Sequence, residues 1–330
     1  MKKEKLINNV KLVFGKIVIF AFCIGFISWY NLLFGSENSI VGIVLLMSLL
    51  MFLEADFGIS PRDVMIIIPT MFACIGAFAK ISLVNPFVGL VVNAFIIGLI
   101  LVLTRKNQQA YLPFLMGYIM FRGYDTTGLV FYDRMISLVF IGGLIGIIYL
   151  IKNRNKTYKT KFTDLFRNFD IYGHWERWAI LIVFSLVITG FITDILNIKK
   201  YMWVELTVLS LITPIEGEAE KRKYLRIPAT ILGCVMFFAL FEVLIPPQYQ
   251  TNVMLIAGFL STFITSYFIK TIYNSFSALV TAALIFPVGE AITMRIFNNI
   301  IGAILAVAFV FIFTNIYKRM DIEKSLEQQS

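Results

Sequence analysis

The chain has 330 residues, of which 59% are hydrophobic and only 15% charged. A soluble domain of this size could not hide that much apolar surface in one core, so bilayer lipid is the expected solvent for most of it. The net charge of +9 does not indicate nucleic acid, because the basic residues sit beside apolar runs and form no stripe on a polar fold. A positive-inside topology signal accounts for them. Cys23, Cys74 and Cys234 all lie inside apolar runs, where a thiol acts as a small buried hydrophobe, so no disulfide, metal site or cofactor is implied. His174 is the sole histidine, which rules out a paired-histidine metal motif and sets hydrolases and metalloenzymes aside. The protein is therefore read as a non-enzyme.

Met1 to Lys16 is signal-like in charge, but the following run is long and no small-residue cleavage pattern ends it, so it reads as a retained first helix. Apolar runs near the roughly 20 residues that cross a hydrocarbon core predict spans at 17–36, 39–54, 63–83, 85–104, 110–131 and 135–151. A second set follows at 178–196, 201–214, 226–246, 251–269, 275–293 and 296–317. The expected fold class is all-α, a polytopic membrane protein of about 12 transmembrane helices. With the N-terminus inside, 23 of the 29 Lys and Arg residues fall on the cytoplasmic side, leaving Lys80, Arg122, Arg134, Lys199, Lys200 and Arg295 opposite. That asymmetry sets both termini in the cytoplasm of a multi-pass cell-membrane protein.

Four segments result: a six-helix membrane repeat at 1–151, a basic cytoplasmic linker at 152–177, a second six-helix repeat at 178–317 and a short tail at 318–330. The linker has seven basic and three acidic residues and suits contact with anionic membrane lipids. Sliding the chain on itself by about 160 residues superimposes Pro69-Thr70 and Cys74 on Ala229-Thr230 and Cys234, and Arg134 on Arg295. The halves thus read as direct repeats related by an axis along the membrane normal, with a pathway between them.

In both halves the fifth apolar run stops early, before Phe121-Arg-Gly-Tyr-Asp125 and Phe286-Pro-Val-Gly-Glu290. Paired interruptions of this kind mark cavity-lining backbone, although ordinary external loops explain them nearly as well. Two helical stripes at i, i+3, i+4, i+7 stand out: Arg226, Ala229, Thr230, Gly233 and Arg295, Asn298, Asn299, Gly302. Each joins a cation to hydrogen-bonding or small residues and then a glycine, with Arg226 at the cytoplasmic mouth and Arg295 at the external one. Arginine suits carboxylate because its planar guanidinium donates two parallel hydrogen bonds and stays charged when buried. The plainer reading is that both arginines anchor the helices while Gly233, Gly302, Gly142 and Gly146 let helices pack closely; it is preferred for Arg226, whereas Asn298 and Asn299 beside Arg295 are costly in lipid. Glu205, a few residues into span eight, and Glu290 are the candidates for proton coupling, with helix capping or surface solvation an equal reading of Glu205. The acids ending spans two and eight, Glu54, Asp56, Glu216 and Glu218, read as solvated helix ends.

These residues resemble the fusaric-acid-resistance-like family of the aromatic acid exporter superfamily. The resemblance rests on Trp203 with Leu206-Thr207, on Arg226-x-x-Ala-Thr230-x-x-Gly233 and on Arg295-x-x-Asn298-Asn299-x-x-Gly302. Family members typically carry Trp-x-x-Leu-Thr, Arg-x-x-Gly-Thr-x-x-Gly and Arg-x-x-Asp-Thr-x-x-Gly, so Ala229 and the two asparagines depart from the pattern. Residues 177–319 are covered; the first half has Ile66 where the span-nine arginine would fall, and Arg134 and Ser137 alone match the span-twelve motif. The resemblance implies export of aromatic or other organic carboxylates, and in some members a periplasmic membrane-fusion partner. The expectation is a transporter or channel for small organic anions, with Arg295, Arg134, Asn298 and Asn299 on the anion and Arg226 and Thr230 at the cytoplasmic mouth. No ATP-binding Gly-x-x-x-x-Gly-Lys-Ser/Thr motif occurs, which leaves a proton gradient or simple diffusion to drive flux. A second copy of the chain and a membrane-fusion protein are the protein partners to look for. The competing reading is a non-transporting membrane scaffold whose basic loops bind lipid or a cytoplasmic partner.

Overall fold

The structure is a computed structural model that describes residues 2–107, 109–158, 160–167, 170–214, 217–283 and 285–327. Glu216 lies outside them. Among the described residues the chain is helical with no strand. The first half contains α1 (Lys2–Phe34), α2 (Ser39–Glu54), α3 (Pro61–Ile81), α4 (Pro86–Leu103), α5 (Tyr111–Gly123) and α6 (Gly128–Asn153). The second contains α7 (His174–Ile195), α8 (Met202–Leu211), α9 (Glu218–Phe238), α10 (Pro247–Ser261), α11 (Tyr267–Ala283) and α12 (Val288–Glu327). Helix starts follow familiar chemistry: Pro61 and Pro86 occupy first turns, where a missing N–H costs nothing, and the Asn85 side chain caps α4 by accepting from Val88 N at 2.9 Å.

Eight helices among the described residues are long and apolar enough to cross a membrane. The other four are α5, α8, α10 and α11, with 13, 10, 15 and 17 residues. At about 1.5 Å per residue α8 covers only about half of a hydrocarbon core roughly 30 Å thick. Eight of its ten residues, Glu205 and Thr207 included, are buried against neighbouring helices.

Several boundaries differ from the hydropathy reading. The expected run 110–131 ends at Gly123, and α6 starts at Gly128 (φ +61°), well before 135. Helix α9 begins eight residues ahead of Arg226, and α12 runs from Val288 past the expected end at 317 into the tail. Apolarity reports where lipid is, whereas Glu, Lys and Arg are good helix formers that carry a helix onward into water. The interruptions of the fifth runs are the connections between α5 and α6 and between α11 and α12, as ordinary loops would be.

Packing follows the same partners in each half. Helix α3 lies on α5 and α6, as α9 lies on α11 and α12; α2 contacts α6, as α8 contacts α12. Pro69 and Pro228 each sit inside the third helix of their half. The first-half core is a cluster of Phe52, Phe57, Phe72, Phe114 and Tyr149 rings, the second a smaller one of Phe237, Phe241 and Phe276. The halves meet through α4 against α7 and α5 against α8, with Tyr111 wedged on Trp175 and Trp178. Outward, α4 exposes Phe87, Val91 and Phe95, and α6 exposes Ile136, Phe140 and Ile147, faces suited to lipid.

The linker is tied down. Asp56, expected to be merely solvated, holds Lys156 at 2.9 Å, accepts from the Tyr158 hydroxyl at 2.6 Å and accepts from Gly58 N at 2.9 Å. At the other end Glu176 pairs with Arg105. The tail is docked as well, since Arg177 grips Asp321 with both terminal nitrogens and Tyr317 donates to the Arg177 carbonyl.

Candidate functional site

The structure gathers both arginine stripes of the second half on α8. On that ten-residue helix Trp203 and Thr207, one turn apart, present one face towards α9 and α12. Arg226 and Thr230 reach it from α9, Arg295 and Asn299 from α12, and Ser275 from α11; all are buried. The Asn299 carbonyl oxygen is the hub. It accepts from Arg226 Nε at 3.1 Å, from the Thr230 hydroxyl at 3.4 Å, and lies 2.9 Å from the Thr207 hydroxyl. Arg226 Nη2 also donates to Thr207 Oγ1 at 3.2 Å, and Asn299 Nδ2 donates back to the Arg295 carbonyl at 2.8 Å.

Arg295 is the least satisfied member. Its guanidinium lies 5.0 Å from the Trp203 ring centre, its Nη2 reaches Ser275 Oγ only at 3.5 Å, and its Nε has no hydrogen-bond partner. Neither Arg226 nor Arg295 pairs with a carboxylate among the described residues. Two buried guanidinium charges thus share one polar cluster in which hydroxyls, an amide and an indole meet them but no carboxylate among the described residues offsets their charge. Beside it, Lys200 is strained at φ +53° and its ammonium lies 4.5 Å from the Tyr124 ring and 5.6 Å from the Phe286 ring.

The placements correct several expectations. Arg226 and Arg295 sit two turns or so inside their helices and belong to one cluster, not to opposite mouths. Asn298 does not join it: its amide donates to the Lys199 and Lys200 carbonyls at 2.9 and 3.1 Å, pinning the loop before α8. Glu290 lies on the surface in an ion pair with Lys199 at 2.9 Å. Arg134 is buried on α6 near Phe121, donates to Asn38 Oδ1 at 3.2 Å and leaves Nη2 without a partner. Gly233 and Gly302 act as close-packing points, since a Cβ there would come within 2.6 Å of the Ile272 carbonyl and 2.7 Å of Thr207 and the Val204 carbonyl. Gly142 and Gly146 do the same against Pro69 and Met65 of α3.

A second polar cluster, missed in the sequence, occupies the opposite face of α8. Glu205 is buried there and accepts from Arg122 Nη1 of α5, whose Nη2 donates to Asp194 of α7 at 2.9 Å and whose Nε donates to Ser82 at 2.9 Å. Tyr118 and Asn93 close the group through a 2.5 Å hydrogen bond, and Gly190 leaves the room it needs. The one legible signal was that Arg122, Asp194 and Glu205 all fall at span ends on the same side.

Residues 178–309 match a protein-family model described as Fusaric acid resistance protein-like. No curated protein and no solved structure matches the chain.

Proposed function

We propose that this chain, whose residues 178–309 match the fusaric acid resistance protein-like family model, carries small organic anions, aromatic carboxylates among them, across the cell membrane. The observation that carries this reading is the pair of buried guanidinium groups, Arg226 and Arg295, without an acidic partner among the described residues. A carboxylate bound there neutralises charge that no acid among the described residues offsets, and the partnerless Nε of Arg295 with Nη2, held only by a 3.5 Å contact to Ser275, supplies the fork that a carboxylate takes in bidentate fashion. The Trp203 ring against Arg295, with Tyr124 and Phe286 around Lys200, offers aromatic faces to an aromatic acid. Arg134, with its own free nitrogen, serves as a weaker attracting point in the first half.

In this reading twelve crossings form two direct repeats with both termini cytoplasmic, and α8 reaches only part way so that the anion meets the pocket at membrane depth. Export is the direction the family resemblance suggests. The test is flux of benzoate from liposomes bearing the purified protein at equal incorporation. Wild type should move benzoate, and Arg295→Gln should lose at least about tenfold of the rate, as removal of a charge-assisted bidentate contact worth about 1.5–3 kcal/mol predicts. Folded wild type that passes no organic anion would sink the proposal; equal flux in both proteins would remove Arg295 from the site.

A further inference from the structure

We propose that Glu205, held between Arg122 and Asp194, is a proton-binding site whose occupancy is linked to anion binding on the other face of α8; this rests on the transport reading above. The triad joins two carboxylates to one guanidinium in a buried setting. The side chains of Arg122 and Glu205 are 1% and 3% exposed, while Asp194 at 14% faces outward and gives a proton its way in. With all three ionised the cluster carries one surplus negative charge, which a single proton removes. Glu205 Oε2 is the atom for it, since Oε1 takes the Arg122 hydrogen bond and Oε2 is buried with no partner.

The titratable groups facing Glu205 are Arg122 and Tyr118 from α5, Asp194 from α7 and Tyr201 at the head of α8. From α9 and α12 come Arg226 and Arg295, which meet α8 on its opposite side at Thr207 and Trp203. Residue 205 lies about 200° around the helix from both 203 and 207. One ten-residue helix therefore carries the proton site on one face and the anion site on the other. A negative Glu205 opposes an anion across the helix, and a protonated one does not. Proton and anion binding must then strengthen each other by the same factor. Because Arg122 belongs to the first half and Asp194 and Glu205 to the second, the proton also changes an ionic tie between the halves.

Titration calorimetry with benzoate in buffers of different ionisation heat counts protons taken up on binding. Wild type should take up protons and bind benzoate about tenfold tighter at pH about 6 than at about 9, a range in which exposed carboxylates stay ionised. Glu205→Gln should bind with no proton uptake and no pH dependence, and Asp194→Asn should behave likewise, because losing the surplus charge leaves Glu205 ionised against Arg122. Proton-free, pH-independent binding by wild type overturns the proposal, as does uptake that survives both substitutions. If wild type binds no benzoate, the aromatic-carboxylate part of the transport reading fails, and infrared difference spectra over the same pH range judge the proton site alone. A protonated-carboxyl band lost in Glu205→Gln supports it; no such band in wild type overturns it.

Discussion

Helix α8 separates two buried arginine environments that differ in one respect. On one face Arg122 is matched by Asp194 and Glu205; on the other Arg226 and Arg295 are met by hydroxyls, an amide and an indole but no carboxylate among the described residues. The first cation is a fixed part of the fold, joining the halves. The second pair is left short of negative charge where a ligand can supply it. A buried guanidinium is costly to desolvate, so what a chain does with its acids shows which arginines are for structure and which are for binding.

The largest expected effect breaks the first environment. Arg122→Met strands two carboxylates, Glu205 among them fully buried, and should cost about 3–5 kcal/mol, the usual consequence of removing one partner of a buried ion pair, read as a large drop in thermal midpoint of the detergent-solubilised protein. Arg295→Met removes a charge that nothing opposes, so its midpoint should hold or rise. Benzoate should raise the midpoint of wild type and not that of Arg295→Met, because a ligand stabilises only the state it binds. Equal destabilisation by the two substitutions would erase the contrast.

A middle-sized effect sharpens where the anion face is built. At Gly302 an added Cβ would lie 2.7 Å from the Thr207 Cβ and from the Val204 carbonyl, whereas at Gly98 of α4 nothing lies within 4 Å. Gly302→Ala should therefore cost about 1–3 kcal/mol by overpacking and weaken benzoate binding by pushing α12 off α8. Gly98→Ala, in open space, should leave both unchanged in the same melting and titration measurements.

Much of this was legible before the structure, and the rest was hidden for physical reasons. The membrane setting and the residues of the Arg226 and Arg295 stripes follow from apolar runs and i, i+3, i+4, i+7 spacing. Which of Asn298 and Asn299 faces the pocket did not follow, because neighbours on a helix point about 100° apart and only packing fixes the rotation. Arg122 escaped notice because its carboxylates lie 72 and 83 residues away in the chain, and a pairing at that separation is a tertiary fact. Glu205 was a candidate for proton coupling whose partners stayed hidden for the same reason, and Glu290, the other candidate, lies in the first turn of α12 paired with Lys199.

The smallest effect comes from an ionic contact that water screens. Asp56 and Lys156 are 42% and 49% exposed, so their bridge at 2.9 Å contributes under about 1 kcal/mol. Burial alone would raise the Asp56 carboxyl, but the hydrogen bonds from Tyr158, Gly58 N and Lys156 outweigh it and hold the pKa below the usual value. Since the folded pKa is the lower one, the stabilisation is full above the unfolded value near about 3.9 and is lost as pH falls through the folded pKa. Asp56→Asn should thus free the linker around Lys156 and Tyr158 to faster amide exchange at neutral pH, with a midpoint shift of a degree or two at most, about what such a weak bridge allows. At a pH below the folded pKa the two proteins should exchange alike. A shift at neutral pH as large as that of Arg122→Met would mean that burial does not divide the ionic contacts of this protein as the two faces of α8 imply.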